Sequence, residues 1–160
     1  MRLIIIIGLL LAGCAIKSVP MQTEFISSDY DKFRASGKNR IVGQAFLKQQ
    51  GGTVVTCAGN PVALQPDTAY FQEYWQIVRT KSKPIQKEAE PGEQKVTRQG
   101  TCDAQGNFSY EDIPDGKWIV TTHVSWRVGY TQQGGIVSKT IEVSGGKEVR
   151  VLLTDTDRIL

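Results

Sequence analysis

The stretch KWIVTTHVSWRV, residues 117–128, constrains the fold more than any other part of the chain. Its side chains alternate between a mainly apolar set and a more polar set. Successive side chains of a β-strand point to opposite faces of a sheet, so this alternation predicts a strand buried on one face. The apolar set is Trp118, Val120, Thr122, Val124, Trp126 and Val128, and the other set is Ile119, Thr121, His123, Ser125 and Arg127.

Short apolar or alternating runs separated by glycine-rich turns continue this pattern from Arg40 onward. Such punctuation is typical of an all-β domain. Two antiparallel sheets that bury one face each would pack as a β-sandwich, and we expect a Greek-key type of about seven strands. The candidate strands are Ile41–Lys48, Thr53–Cys57, Val62–Gln65, Lys95–Thr101, Asn107–Tyr110, Lys117–Val128, Ile136–Val143 and Glu148–Leu153.

One segment, Pro66–Thr80, has helical rather than strand periodicity. Its apolar residues fall on one arc of a helix, and Asp67 or Thr68 is placed to cap it. The charged, proline-containing stretch Lys81–Gln94 then predicts a loop. The apolar arc consists of Tyr70, Phe71, Tyr74, Trp75, Ile77 and Val78.

The aromatic face of this helix allows two interpretations. Tyr70, Tyr74 and Trp75 could form an exposed recognition surface. Alternatively, the face packs against the sheet, which we favour because an exposed apolar stripe is costly for a soluble domain.

The first residues, MRLIIIIGLLLAGC, have the layout of a signal peptide. Their apolar run is shorter than the roughly 20 residues that a transmembrane helix needs. The segment Leu11–Cys14 resembles the lipobox of bacterial lipoproteins. The resemblance implies acylation of Cys14, cleavage before it and, because Ala15 follows, an outer-membrane location. An ordinary signal peptide followed by a free cysteine is the alternative.

These features predict one domain with a leader. Residues 1–13 form the lipoprotein signal peptide, and residues 14–39 form a lipidated tether. Within the tether Ile26, Tyr30 and Phe33 have the spacing of a short helix. Residues 40–154 form the sandwich, with a helix and loop inserted at 67–94, and residues 155–160 form a C-terminal tail.

The two remaining cysteines, Cys57 and Cys102, form an even pair in a chain that the leader directs to an oxidising compartment. A disulfide bond between them is the natural expectation. Two buried free thiols are the alternative, because no spacing rule fixes the pairing.

A corner motif lies between Asp103 and Trp118, with the pattern D-x-x-G-x-F-x-Y-x-x-I-P-x-G-x-W. It resembles the strand-turn-strand corner of carboxypeptidase regulatory-like domains, which have a transthyretin-like fold, and the resemblance spans Ile41–Leu153. It implies a module that stabilises, presents or binds rather than catalyses. The chain departs from the family pattern in the insertion Thr68–Gln94, in the tryptophan at 118 and in the cysteine pair.

Few residues offer catalytic or metal chemistry. The formal net charge of +3 is too small and too dispersed for nucleic-acid binding. A dyad of His123 with Ser125 or a carboxylate would need a third orienting group, so we favour a structural histidine. Aspartates in turns usually satisfy local hydrogen bonds, and we therefore expect no metal site and no cofactor. The acids that could gather around calcium are Asp103, Glu111, Asp112 and Asp115.

The sequence thus predicts a lipid-anchored protein of the cell envelope with a non-catalytic binding or structural module. The expected partners are the membrane, through the anchor, and an envelope protein or glycan. Two alternatives stay open. One is an envelope hydrolase that uses His123, and the other is an inhibitor or secretion-system accessory lipoprotein.

Overall fold

The computed structural model describes residues 18–81, 85–86 and 90–159, so the predictions for the leader and for Cys14 lie outside the described residues. The described part contains short and long strands with three α-helices. In chain order they are β1 (Val19–Pro20), a 3-10 helix (Ser27–Tyr30), α1 (Asp31–Arg34), β2 (Asn39–Lys48), β3 (Val54–Thr56), β4 (Pro61–Pro66), α2 (Ala69–Lys81), β5 (Ile85–Gln86), α3 (Pro91–Val96), β6 (Arg98–Thr101), β7 (Asn107–Ile113), β8 (Gly116–Val128), β9 (Thr131–Val143), β10 (Glu148–Leu153) and a 3-10 helix (Asp155–Asp157).

The predicted β-sandwich is confirmed, with four strands in each sheet. In sheet I, β2 pairs with β10, with β7 along its first half and with β3 along its second half. Sheet II has the order β6-β4-β8-β9. The pairing of β2 with β10 is parallel, whereas the expected sandwich was antiparallel throughout. The chain passes from β9 in sheet II to β10 in sheet I, so β10 does not close a hairpin with β9.

The first four members of the apolar set predicted on β8 are buried between the sheets, whereas Trp126 is half-buried and Val128 is 60% exposed. Trp118, Val120 and Val124 are fully buried there. Tyr110 of β7 reaches across the core, and its hydroxyl donates a hydrogen bond of 2.8 Å to the carbonyl oxygen of Val62 on β4. The two sheets are therefore joined by a buried polar contact as well as by apolar packing.

The other face of β8 is not left to solvent, which corrects the expectation of a strand buried on one face. Ile119 and Thr121 are also buried, because α2 packs against the outer face of sheet II. The indole N–H of Trp75 on α2 donates a hydrogen bond of 2.9 Å to Oε1 of Gln65 on β4. The predicted amphipathic helix is thus present, and it covers one side of the sandwich.

The strand expected at Lys95–Thr101 and the loop expected at Lys81–Gln94 are partly wrong. The described part of this region contains β5 and α3, and the strand begins only at Arg98. Pro91 occupies the first turn of α3, where its fixed φ favours a helix and its missing N–H is not needed. Val96 at the end of α3 is buried and holds that turn in the core.

The segment before β2 packs on α2, and it contains the predicted short helix as a 3-10 turn followed by α1. The ring of Phe25 stacks on Tyr30 with centroids 4.4 Å apart and meets Tyr70 edge-on at 5.4 Å. Tyr30 in turn meets Phe71 of α2 edge-on at 6.0 Å. This cluster extends the core beyond the sandwich.

The predicted disulfide bond between Cys57 and Cys102 is confirmed. Cys57 directly follows β3 of sheet I, and Cys102 directly follows β6 of sheet II, with their Cα atoms 5.8 Å apart. Both cysteines are buried. The bond therefore joins the two sheets at one end of the sandwich.

The corner motif is part of the scaffold. Gly106 has a φ of 81°, and a Cβ there would lie 2.8 Å from the carbonyl oxygen of Ala45 on β2. Only glycine fits this combination of positive φ and close approach. Phe108 and Tyr110 are buried, as alternation along the strand predicts, and Ile113 and Trp118 of the motif are buried as well.

Candidate binding groove

The outer face of sheet I carries a shallow groove of about 790 Å³. Alternate residues of β2 point into the core, so Arg40, Val42 and Gln44 point outward. The parallel register places Val42 opposite Arg150 of β10, and the antiparallel register places it opposite Ser109 of β7. We call this surface the polar groove. It is lined by Arg40, Val42, Gly43, Gln44, Thr101, Asp103, Asn107, Phe108, Ser109, Glu148, Arg150, Val151 and Leu152.

One end of the polar groove is a row of alternating charges. The guanidinium of Arg40 forms ion pairs of 2.5 Å with Glu111 and with Glu148. Glu148 also lies 3.4 Å from Nε of Arg150. These hydrogen bonds raise the pKa of Arg40 and lower the pKa of Glu148. Each carboxylate is therefore matched by a cation, and this end of the groove has fixed charges but no net charge.

The middle of the polar groove offers hydrogen-bonding groups that the protein does not use. The amide nitrogen of Gln44 donates to the carbonyl oxygen of Gln105 at 2.9 Å, which leaves its Oε1 as an available acceptor. Within the described residues, that oxygen, Oδ1 of Asn107 and the hydroxyl of Ser109 form no hydrogen bond with another protein group. Arg150 is 86% exposed at its side chain. The groove thus presents two acceptors, a hydroxyl and a guanidinium on adjacent strands.

An apolar strip accompanies these polar groups. Val42 is half-buried in the groove floor, and Leu152, which lies opposite Gln44 on β10, is 55% exposed. An apolar surface with a few convergent polar groups is typical of small-ligand sites. All of these side chains stand on paired strands, so their spacing is fixed by the sheet.

Asp103 sits at the rim of the polar groove and organises its own turn. Its carboxylate accepts hydrogen bonds from the backbone N–H groups of Gln105 at 2.9 Å and Asn107 at 2.8 Å. The side-chain amide of Asn107 donates to it as well, at 2.9 Å. These bonds, with that from the Asn107 side chain first, hold the pKa of Asp103 below its ordinary value of 3.8. The same contacts orient Asn107 in the groove.

The lowered pKa predicts how this turn responds to acid. Stability from the Asp103 carboxylate is fully present above pH 3.8 and is lost as the pH falls through the lower pKa of the folded state. We expect Asp103→Asn to lower the urea midpoint at pH 7 and to lose that disadvantage in strong acid. Urea unfolding of the wild-type and variant proteins from pH 7 to strong acid measures the difference between their midpoints. A difference that grows as the pH falls would contradict a stabilising role for the ionised Asp103 carboxylate.

The aromatic residues singled out in the sequence lie elsewhere, along α2. Tyr70 is buried, whereas Tyr74 and Trp75 are half-buried and meet edge-on at 5.0 Å. Burial and its hydrogen bond to Glu93 raise the pKa of Tyr70. Trp75 lines a smaller pocket of about 200 Å³ between α2 and sheet II, with Gln72, Gln76, Arg79 and Ile119 among its other walls. This face is thus mainly used for packing.

The residues considered for catalysis and for metal binding do not come together. His123 is half-buried on the outer face of sheet II, and the hydroxyl of the neighbouring Ser125 accepts a hydrogen bond from Gln132 at 3.0 Å. Of the four acids, Glu111 pairs with Arg40, while Asp115 accepts from the amide of Asn39. Among the described residues no three His, Cys, Asp or Glu side chains are grouped as metal ligands.

The residues that line the polar groove were not predicted as a site. A partial signal was present, because Gln44 and Arg150 interrupt the apolar runs IVGQA and EVRVLL at outward positions. The sequence does not reveal that these two strands lie side by side in parallel. Among the described residues, no helix is long and apolar enough to cross a bilayer.

Comparisons with known proteins support the fold. No family model and no curated protein matches the chain. A crystal structure from Pseudomonas aeruginosa, of a protein with a suggested carbohydrate-binding role, aligns with a TM-score of 0.70 at 25% identity. The alignment covers 82% of this chain and 98% of that one.

Two weaker structural matches are also β proteins. The major pilin subunit of Bacillus cereus aligns with a TM-score of 0.43 at 12% identity, over 75% of this chain and 30% of that one. A DUF3823 family protein from Parabacteroides merdae aligns with a TM-score of 0.38 at 18% identity, over 74% and 47%. Because both TM-scores are below 0.5, neither match indicates a function for this chain.

Proposed function

We propose that this chain is a lipid-anchored, non-catalytic binding module of the bacterial cell envelope and that it binds a glycan in the polar groove. The observation that carries the proposal is the set of uncommitted hydrogen-bonding groups on Gln44, Asn107 and Ser109, beside the exposed guanidinium of Arg150 and an apolar strip. A sugar ring has hydroxyl groups on its edge and C–H groups on its faces. Both kinds of surface have a counterpart in this groove.

The structural match to a protein with a suggested carbohydrate-binding role supports the ligand class. The rigid placement of the groove also favours binding over catalysis. Its acids are held in ion pairs with Arg40 or in the Asp103 turn, so none is positioned as a free general acid or base. The carboxypeptidase regulatory-like corner motif, Asp103–Trp118, agrees with a module that binds.

Removing two polar groups from the groove tests the binding site. We expect Gln44→Ala combined with Ser109→Ala to weaken glycan binding by about tenfold, because each lost hydrogen bond contributes about 0.5–1.5 kcal/mol. The matched control is Gln76→Ala combined with Thr140→Ala in the pocket beside Trp75, which should leave binding unchanged. An array of envelope glycans identifies the best-bound oligosaccharide, and calorimetry with it compares the variants.

Two results would contradict this assignment. One is that the wild-type protein binds no glycan on the array. The other is that the control pair loses affinity while the groove pair keeps it, which would move the site to α2. Release of hydrolysis products by the wild-type protein but not by His123→Ala would instead favour the hydrolase.

Anchoring is tested by the residue that the lipobox pattern identifies. We expect Cys14→Ser to move the protein from the membrane fraction to the soluble fraction, because each buried methylene of the acyl chains contributes about 0.8 kcal/mol to membrane binding. Fractionation of cells, with metabolic palmitate labelling of the wild-type protein, measures the change. Retention of the variant in the membrane fraction would contradict lipid anchoring.

A further inference from the structure

The two outer faces of the sandwich are covered differently. α2 lies on sheet II, and the segment before β2 lies on α2. The outer face of sheet I carries the polar groove instead. At the start of that segment the layers therefore follow the order N-terminal residues, α2, sheet II, sheet I and groove, whereas Phe33 farther along the segment contacts Trp118 of the sandwich.

The contacts of Glu73 place the start of the folded chain in the layer farthest from the groove. Its carboxylate accepts the backbone N–H of Gln22 at 2.8 Å and that of Thr23 at 2.7 Å. On a helix, residues two positions apart point about 160° away from each other. Glu73 is two positions from Trp75, whose indole is bonded to sheet II, so Gln22 and Thr23 run along the opposite side of α2.

These contacts are firm attachments rather than a loose approach. Hydrogen bonds from the side chain of Thr23, and from the backbone of Gln22 and Thr23, lower the pKa of Glu73, which keeps the accepting carboxylate ionised. The next residues of the segment enter the aromatic cluster through Phe25. Before them, Val19 and Pro20 pair with Ile85 and Gln86 of β5, so the chain is fixed to the domain from Val19 onward.

The chain length between the anchor and this attachment limits how far the domain can move from the bilayer. From Cys14 to Val19 a fully extended chain spans at most about 18 Å, whatever path it takes. A helix is about 10 Å thick and packed sheets are about 10 Å apart. The groove therefore lies roughly 20 Å from the N-terminal layer, which contains the attachment point.

We propose, building on lipid anchoring at Cys14, that the N-terminal layer over α2 lies against the lipid surface and that the polar groove faces away from it. The short connection holds the layer that contains Gln22 near the headgroups. Ile26, which is 53% exposed in the same layer, supplies an apolar side chain on that side. The groove is then open to glycans located away from the membrane that holds the anchor.

Energy transfer to the membrane measures this orientation in the acylated full-length protein. A donor dye is attached to Glu24→Cys in the N-terminal layer or to Ser109→Cys in the groove, both of which are exposed positions. Cys57 and Cys102 are bonded to each other, and acylated Cys14 has no free thiol, so the dye reacts only at the introduced cysteine. The vesicles contain phosphatidylethanolamine, phosphatidylglycerol and an acceptor-labelled lipid.

We expect stronger transfer from position 24 than from position 109, corresponding to a distance difference of about 20 Å. A flexible insert of about 20 Gly and Ser residues after Ala15 should reduce that difference, because such a linker reaches about 25 Å on average and frees the domain. Equal transfer from the two positions would overturn the orientation. A difference that the insert leaves unchanged would overturn the short connection as its cause.

The outcomes separate this inference from the proposed function. Failure of the wild-type protein to float with the vesicles would overturn both the anchor and the orientation. Flotation with equal transfer would overturn the orientation alone. Glycan binding is measured on the groove variants and does not depend on either result.

Discussion

Replacing Cys57 and Cys102 together by alanine is expected to lower the free energy of unfolding by about 4 kcal/mol. The disulfide bond closes a loop of 45 residues, and in the chain-entropy model its loss returns that loop's freedom to the unfolded state. It also releases the ends of sheets I and II from each other. Urea unfolding followed by circular dichroism at pH 7 measures the loss.

Reduction of the wild-type protein is the matched control for this double substitution, because it breaks the bond and keeps both side chains. The reduced protein should lose nearly the same stability as the double variant. Since small domains have about 5–15 kcal/mol in total, either change removes a large fraction of it. A reduced protein that unfolds at the same urea concentration as the oxidised one would contradict a stabilising role for the bond.

Truncating Trp118 to alanine is expected to lower the free energy of unfolding by about 3–5 kcal/mol. Trp118 is fully buried, meets Phe33 edge-on at 5.1 Å and donates its indole N–H to the carbonyl oxygen of Pro114 at 3.3 Å. Its removal leaves a cavity where the N-terminal segment meets the sandwich. Urea unfolding measures this loss as well.

Trp118→Phe separates packing from the hydrogen bond. It keeps an aromatic ring beside Phe33 but leaves the carbonyl oxygen of Pro114 without its donor, so we expect a loss of about 1–3 kcal/mol. A loss below about 1 kcal/mol for Trp118→Ala would show that this position is not in the core.

The strands were predictable where local pattern alone decides the structure. Residues 117–128 alternate between a mainly apolar and a more polar set, and β8 spans Gly116–Val128, within one residue of the prediction. The same pattern could not show that Ile119 and Thr121 would be buried. That burial depends on α2, which is inserted elsewhere in the sequence and returns to cover the outer face of sheet II.

The candidate site was less predictable than the fold, for a topological reason. The polar groove needs Arg40 and Glu148 side by side, and they are 108 residues apart in the chain. Parallel pairing of β2 with β10 brings them together, and neither strand carries a local signal for that register. The aromatic residues of α2 were conspicuous in the sequence, yet aromatic side chains are at least as useful for packing a helix as for recognition.

The disulfide bond was predictable from the expected cellular compartment and from the number of cysteines. The signal-peptide layout of the first residues predicts an oxidising compartment, and two cysteines besides Cys14 can form only one intramolecular pair. The strand that follows α3 shows a case in which composition alone gave the wrong boundary. Lys95–Thr101 has strand-like composition, but Pro91 and the buried Val96 support a helical turn before the strand can begin.

Chemical-shift mapping during a glycan titration tests the central claim most directly. The isotopically labelled protein is titrated with the oligosaccharide that the array identifies, and each backbone amide is followed. We expect the largest shifts at Val42, Gln44, Ser109 and Arg150 on sheet I, with the amides of α2 unchanged. Largest shifts at Trp75, Gln76 and Arg79 on α2, with sheet I unchanged, would contradict binding in the polar groove.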